Sequence, residues 1–80
     1  MNWRDHIHSV DGILGGKPVF KATRLTVERV LKLMGAGWDY ARIAEEYPGI
    51  RPEHLPAAAA FAAHVMEDES YVAAYKARVA

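Results

Sequence analysis

The apolar residues of the chain change their spacing after the first third, from an alternating pattern to a helical one. Ile7 is flanked by polar residues, and Val19–Phe20 adds a second short apolar segment, a pattern typical of extended structure. Asp11-Gly12 and Gly15-Gly16 are turn signals between these segments. The sequence therefore predicts an extended N-terminal arm over residues 1–25.

Four helical segments follow the arm. The first begins at Thr26, a good N-cap, and stops at Gly37, which suits a left-handed residue after a helix. The second starts at the N-cap Asp39 and runs to about residue 47. The third begins near Pro52, because proline fits the first position of a helix. The fourth covers about Ser70 to Val79, with an apolar stripe of Tyr71, Val72, Tyr75 and Val79.

The order of these segments is that of a helix-turn-helix: two short helices, a tight break and a third helix. The sequence thus predicts a mainly α protein that forms one domain over residues 1–80. Within it, residues 26–66 form the helix-turn-helix core, and residues 67–80 add a C-terminal helix behind the N-terminal arm.

Length and charge restrict the classes of function. A domain of 80 residues has a thin core, so packing against a second copy would stabilise it, and we expect a homodimer. Ten basic and ten acidic residues give a formal charge of zero, which argues against nucleic-acid binding by bulk charge. The absence of cysteine fits a cytoplasmic location, and no segment is long and apolar enough to cross a membrane.

Candidate catalytic and metal-binding chemistry is sparse. Gly15-Gly16-Lys17 lacks the earlier glycine and the following Ser or Thr of a phosphate loop, and Pro18 follows it instead. His6 and His8 would share one face of a strand, but no further ligand is placed by spacing. We therefore predict a protein that is not an enzyme and that holds neither a metal nor a cofactor.

Two other positions have roles that the sequence leaves open. His54 and His64 lie on the third helix, where we expect each to be a surface or boundary residue. Arg24 stands immediately before the first helix. It either ties the arm to a carboxylate or a helix end, or contacts phosphate or an acidic partner. The sequence favours the anchoring role for Arg24.

The segment from Gly15 to Val27 carries a more specific pattern: Gly-Gly-Lys-Pro, an apolar pair, a short turn, Thr-Arg, an apolar residue, Thr and Val. This segment resembles the signature of the bacterial family catalogued as domain of unknown function 433. The resemblance continues through Asp39, Tyr47-Pro48 and the helix Leu55 to Ala63, and covers roughly residues 7–63. Ala22 stands where the family usually has glycine, and Arg51 where it often has a Ser or Thr cap.

The resemblance implies a homeodomain-like three-helix core with an N-terminal β arm. Members of the family resemble antitoxins of toxin–antitoxin pairs, often encoded beside a PIN-like ribonuclease. The expected partners are therefore a PIN-like toxin protein, promoter DNA and a second copy of the chain. The candidate DNA contacts are Lys21, Arg42, Arg51 and His54, and the candidate partner contacts are Arg24, Lys76 and Arg78.

Three hypotheses for function follow. The first is an antitoxin that neutralises a ribonuclease and represses its own operon through the helix-turn-helix. The second is a DNA-binding transcriptional regulator without a toxin. The third is a protein-interaction module that does not bind DNA, and whose alanine-rich third helix packs against another protein.

Overall fold

The computed structural model describes residues 2–12 and 14–79. In chain order, the described part contains a short 3-10 turn at Trp3–Asp5, strand β1 at Ile7–His8, a second 3-10 turn at Leu14–Gly16, strand β2 at Val19–Phe20, and the helices α1 at Val27–Gly35, α2 at Tyr40–Glu46, α3 at His54–Met66 and α4 at Glu69–Val79. The predicted architecture is confirmed: a mainly helical protein with a small antiparallel hairpin near its N-terminus and a further C-terminal helix.

The N-terminal arm is less extended than predicted. Its two strands have two residues each and pair antiparallel, with Ile7 opposite Phe20 and His8 opposite Val19. Ile7, Val19 and Phe20 are all buried, so the hairpin is part of the hydrophobic core. Three short helices bury too little apolar surface alone, and the arm supplies the missing core residues.

The turn between β2 and α1 is held by Thr23. Its hydroxyl donates to the Phe20 carbonyl at 2.7 Å and accepts the Leu25 N–H at 3.1 Å. Ala22 lies in this turn with a φ of 65°, a left-handed conformation that glycine adopts with less strain. Alanine in this conformation stores strain at position 22 of the turn.

The predicted caps of the first two helices are confirmed. The Thr26 side chain accepts the Arg29 N–H at 3.1 Å, and the Asp39 side chain accepts the Arg42 N–H at 2.9 Å. Gly37 follows α1 with a φ of 92°, which is the predicted left-handed stop.

The third helix begins two residues later than predicted. Pro52 lies in a preceding turn, where its carbonyl accepts the Leu55 N–H at 3.3 Å. The N-cap position is occupied by Glu53, which makes no side-chain capping bond. This agrees with the expectation that Arg51 in place of Ser or Thr leaves α3 less well capped.

The core lies where the hairpin, α1, α2 and α3 meet. Its fully buried members include Val30, Ile43, Ala57 and Ala58, and partly buried side chains such as Trp3, Leu31 and Phe61 pack around it. The two alanines have small side chains, so the backbone of α3 can approach its neighbours closely. The ring of Trp3 meets Phe61 edge-on, with 5.1 Å between centroids, and so places the N-terminal turn against α3.

Helix α4 has no inner face among its described side chains. Ser70 and all residues from 72 to 78 are exposed. Val72 and Tyr75, two members of the predicted apolar stripe, are 39% and 56% exposed, while the side chains of Tyr71 and Val79 lie outside the described set. The predicted helix is confirmed, but these two residues do not form an inner face. Within residues 2–12 and 14–79, no helix combines the length and apolar character needed to cross a membrane.

The left-handed Ala22 generates a stability prediction. We expect Ala22→Gly to raise the free energy of unfolding by about 1 kcal/mol, because glycine relieves the left-handed strain by more than it adds to the entropy of the unfolded chain. Urea unfolding checks this. The control is Ala36→Gly, at an exposed residue with a φ of −85°, which should lower the stability. A decrease for both variants would show that Ala22 is not strained.

Candidate functional site

His54 is buried, which corrects its expected surface position. Its side chain is 2% exposed, and its ring stacks on Phe20 with 4.5 Å between centroids. The Arg51 backbone N–H donates to His54 Nδ1 at 3.0 Å, so this nitrogen carries no proton. Because the ring faces the core at the start of α3, it cannot reach a nucleic acid without local unfolding. His54 is therefore a structural residue and not a DNA contact.

The charges around His54 come from two segments, the turn before α3 and the N-terminal arm. Burial lowers the pKa of His54, the charges of Arg51 and His6 lower it further, and Glu53 opposes them. The rings of His6 and His54 have centroids 6.1 Å apart. His6 lies before β1 rather than within it, so the predicted His6–His8 face of a strand does not form.

The candidate DNA contacts Arg42 and Arg51 have different neighbours. The Arg42 guanidinium lies 4.0 Å from the centroid of the Trp38 ring, which fixes it beside the start of α2. The Arg51 Nε lies 3.3 Å from Glu53 Oε1. Both side chains are exposed, but the carboxylate of Glu53 offsets the charge that Arg51 brings to the start of α3.

The outer face of α3 offers little to a base edge. Its exposed residues are Pro56, Ala59, Ala63, His64 and Met66. His64 is the member of this set with a polar side-chain group, and its ring already lies against Trp3, with centroids 5.4 Å apart. Direct reading of sequence in the major groove requires hydrogen-bonding side chains on the recognition helix, and this face is nearly without them.

Lys21 and Arg24 lie in the loop between β2 and α1, and both are exposed. The Lys21 backbone N–H donates to the His6 carbonyl at 2.8 Å. Arg24 borders a hollow of about 350 Å³ formed with the turn between α2 and α3. Among residues 2–12 and 14–79 its guanidinium has no ion pair or hydrogen bond. The described residues show no anchoring contact of Arg24, and Thr23 holds this turn.

Lys76 and Arg78, the candidate partner contacts on α4, lie exposed in its last turn. They share the helix with the exposed Val72 and Tyr75. Cations in the last turn complement the negative end of the helix dipole. The structure thus brings an apolar pair and two cations together on one solvent-exposed helix.

A groove along the first turns of α1 contains further basic residues. Lys17 and Lys32 both contact Glu28, with Nζ–O distances of 3.0 and 3.5 Å, and Arg29 borders the same groove. In the described part of the chain, no three His, Asp or Glu side chains are grouped so that they could hold a metal ion.

Comparison with known proteins places the chain in a family. The model of a protein family of unknown function, DUF433, matches residues 7–62, more than half of the chain. The chain belongs to the DUF433 family. The match begins at β1 and ends within α3, so α4 lies outside it.

A solved structure supports the fold of this DUF433 protein. The crystal structure of a DUF433 member from Anabaena variabilis superposes with a TM-score of 0.70 at 25% sequence identity, covering 80% of this chain and 63% of that chain. The present chain therefore matches less than two thirds of that protein's length. No curated protein matches the chain.

Sequence reasoning did not assemble the groove on α1 of this DUF433 protein. The spacing of Glu28 and Lys32 by four residues is a readable ion-pair signal on a helix. The contact between Lys17 and Glu28 depends on how the arm folds back, and no local pattern predicts it. The groove is therefore a feature that only the tertiary structure reveals.

The buried His54 generates a pH prediction. Its folded-state pKa is lowered below the unfolded value of about 6.5. As the pH falls through that value, the unfolded state gains a proton before the folded state does, so stability decreases toward acid pH. We expect the unfolding free energy to decrease between about pH 7.5 and 5.5, and His54→Gln to flatten this dependence.

The control for this measurement is His8→Gln, which removes an exposed imidazole and should leave the pH dependence in place. Urea unfolding at a series of pH values gives the slopes. An equal slope for His54→Gln and the unsubstituted protein would show that His54 does not carry the dependence.

Proposed function

We propose that this DUF433 protein is a non-catalytic inhibitor, the antitoxin of a type II pair, that neutralises a PIN-like ribonuclease by direct binding. The observation that supports this proposal is the exposure of α4. An isolated helix of 11 residues is marginal in water, and α4 buries none of its described side chains. A partner that covers α4 would supply the packing that the rest of the chain does not.

The chemistry of α4 fits insertion into an apolar groove. Val72 and Tyr75 stand three residues apart, the spacing of neighbouring anchors on one helical face. Both are already exposed, so binding would remove apolar surface from water without disturbing the core. Tyrosine is also among the residues that contribute most to binding energy at protein interfaces.

The charges of α4 fit the active site of a nuclease of this class. A PIN-like ribonuclease holds magnesium with clustered carboxylates, and Mg²⁺ is bound by oxygen ligands. Lys76 and Arg78 would present an ammonium and a guanidinium to such a cluster, and arginine matches a carboxylate with two parallel hydrogen bonds. In this proposal, the apolar pair holds the helix and the cations occupy or block the acidic site.

The test is inhibition of RNA cleavage by a small PIN-like nuclease encoded beside this gene. We expect the unsubstituted protein to inhibit it at equal molar amounts. Tyr75→Ser should weaken binding about thirtyfold, the loss of a typical interface anchor of about 2 kcal/mol. Lys76→Glu combined with Arg78→Glu should weaken it at least as much, because two attractions become repulsions. Calorimetric titration measures both affinities.

The matched control is Lys21→Glu, which reverses the charge of an exposed lysine outside α4 and should leave inhibition unchanged. Absence of inhibition by the unsubstituted protein in molar excess would remove the antitoxin role and favour a general protein-interaction module. Sedimentation of the chain alone reports on the proposed homodimer, and a strictly monomeric species at micromolar concentration would contradict it.

Repression of the protein's own operon, with promoter DNA as the partner, is the second role that the resemblance to antitoxins implies. The geometry favours contact with the DNA backbone over base reading, because the outer face of α3 is mostly alanine and other apolar side chains. A DNA-binding regulator without a toxin would have to rely on the same surfaces. We therefore place nuclease neutralisation first and DNA binding second.

A further inference from the structure

The groove on α1 brings three basic side chains, Lys17, Arg29 and Lys32, to one hollow. It has a volume of about 500 Å³ and is lined by Leu14, Lys17, Thr26, Glu28, Arg29 and Lys32. The basic residues come from two segments, the loop before β2 and the first turns of α1. A protein of zero formal charge thus carries a local excess of two positive charges here.

Both lysines of the groove contact the carboxylate of Glu28. Lys17 Nζ lies 3.0 Å from Glu28 Oε1, and Lys32 Nζ lies 3.5 Å from Glu28 Oε2. The hydrogen bond from Lys17 and the charges of both lysines lower the pKa of Glu28, so the carboxylate stays ionised. Each oxygen of one anion faces its own ammonium group, an arrangement that the two free oxygens of a phosphodiester would satisfy equally well.

Arg29 adds a guanidinium that has no partner in the part of the chain that the structure describes. Its backbone N–H bonds to the Thr26 hydroxyl oxygen at 3.1 Å. Among the residues that the structure describes, its exposed guanidinium has no ion pair or hydrogen bond. One guanidinium group can donate two parallel hydrogen bonds to two oxygens of a phosphate. The groove therefore offers the guanidinium of Arg29 and two ammonium groups. The ammonium groups are held only by weak, exposed ion pairs with Glu28, which a phosphate can replace.

The size and rim of the groove favour a chain of phosphates over a single free one. A volume of about 500 Å³ is within the range of ligand sites and exceeds what one phosphate needs. Leu14 stands at the rim, 47% exposed. A free phosphate has no surface for an apolar side chain, whereas a nucleic acid presents sugars and bases beside its phosphates.

We propose that the groove formed by Lys17, Arg29 and Lys32 binds successive phosphate groups of a nucleic-acid backbone, with Glu28 as an internal competitor that the phosphates displace. The groove residues are other than those on the exposed face of α3, where a helix-turn-helix would read its operator. The groove is also independent of nuclease neutralisation through α4.

The experiment is fluorescence anisotropy of a short labelled DNA duplex of arbitrary sequence, titrated at several salt concentrations. Three phosphate contacts predict a slope of about −2.7 for log affinity against log salt, so a fourfold rise in salt should weaken binding roughly fortyfold. Lys17→Gln combined with Lys32→Gln should bring the slope to about −0.9. Glu28→Gln should strengthen binding about fivefold, because it removes the carboxylate that competes with the phosphates for the two lysines.

The control is Arg4→Gln, which removes a positive charge from an exposed position outside the groove and outside the candidate contacts and should keep the steep slope. Thermal unfolding of each variant establishes that it is folded. The proposal would be overturned if the unsubstituted protein did not bind the duplex at low salt. It would also be overturned if the salt slope were lost in the control but kept in the lysine variant. A third contrary result would be displacement of the duplex by inorganic phosphate at the same phosphate concentration. The last result would assign the groove to free phosphate. None of them bears on nuclease inhibition.

Discussion

The stacking of Phe20 on His54 is the contact on which the rest of the fold depends. Phe20 ends the hairpin and His54 begins α3, and both rings are almost wholly buried with centroids 4.5 Å apart. The contact joins the N-terminal arm to the helix-turn-helix, and the bond from the Arg51 N–H to His54 Nδ1 orients the ring. Because α3 has no side-chain cap, this bond and the buried ring also fix where α3 begins. A polar residue at the start of the helix thus acts as part of the core.

This arrangement completes the core before the chain ends. The buried apolar residues run from Ile7 to Ala58, close to the segment of residues 7–62 that the DUF433 family shares. Helix α4 follows the shared segment and contributes no described buried side chain. The shared part therefore provides the fold, while α4 provides exposed apolar and basic groups. This division agrees with the proposed role of α4 as a partner contact, since α4 can change in sequence without loss of the core.

Local signals in the sequence predicted the helices and their caps, and long-range contacts account for what was missed. Thr26 and Asp39 cap their helices through bonds to residues three positions ahead. These caps can therefore be predicted from the local sequence. The burial of His54 and the Lys17–Glu28 contact arise only when the arm folds against α1 and α3. Arg24 is a different case, because the turn that it was expected to anchor is held by local bonds of Thr23 to Phe20 and Leu25. The candidate site residues share a basic or titratable side chain, and this property alone does not predict whether a residue is exposed or buried.

Amide hydrogen exchange tests most directly the claim that the Phe20–His54 contact closes a core to which α4 does not belong. Amides of the hairpin, α1, α2 and α3 should share one level of protection, set by global unfolding, because one core holds them. Amides of α4 should exchange far faster, since a short helix whose described side chains are all exposed opens locally. Protection of α4 equal to that of α3 in the isolated protein would contradict the account, because α4 would then be part of the same cooperative unit.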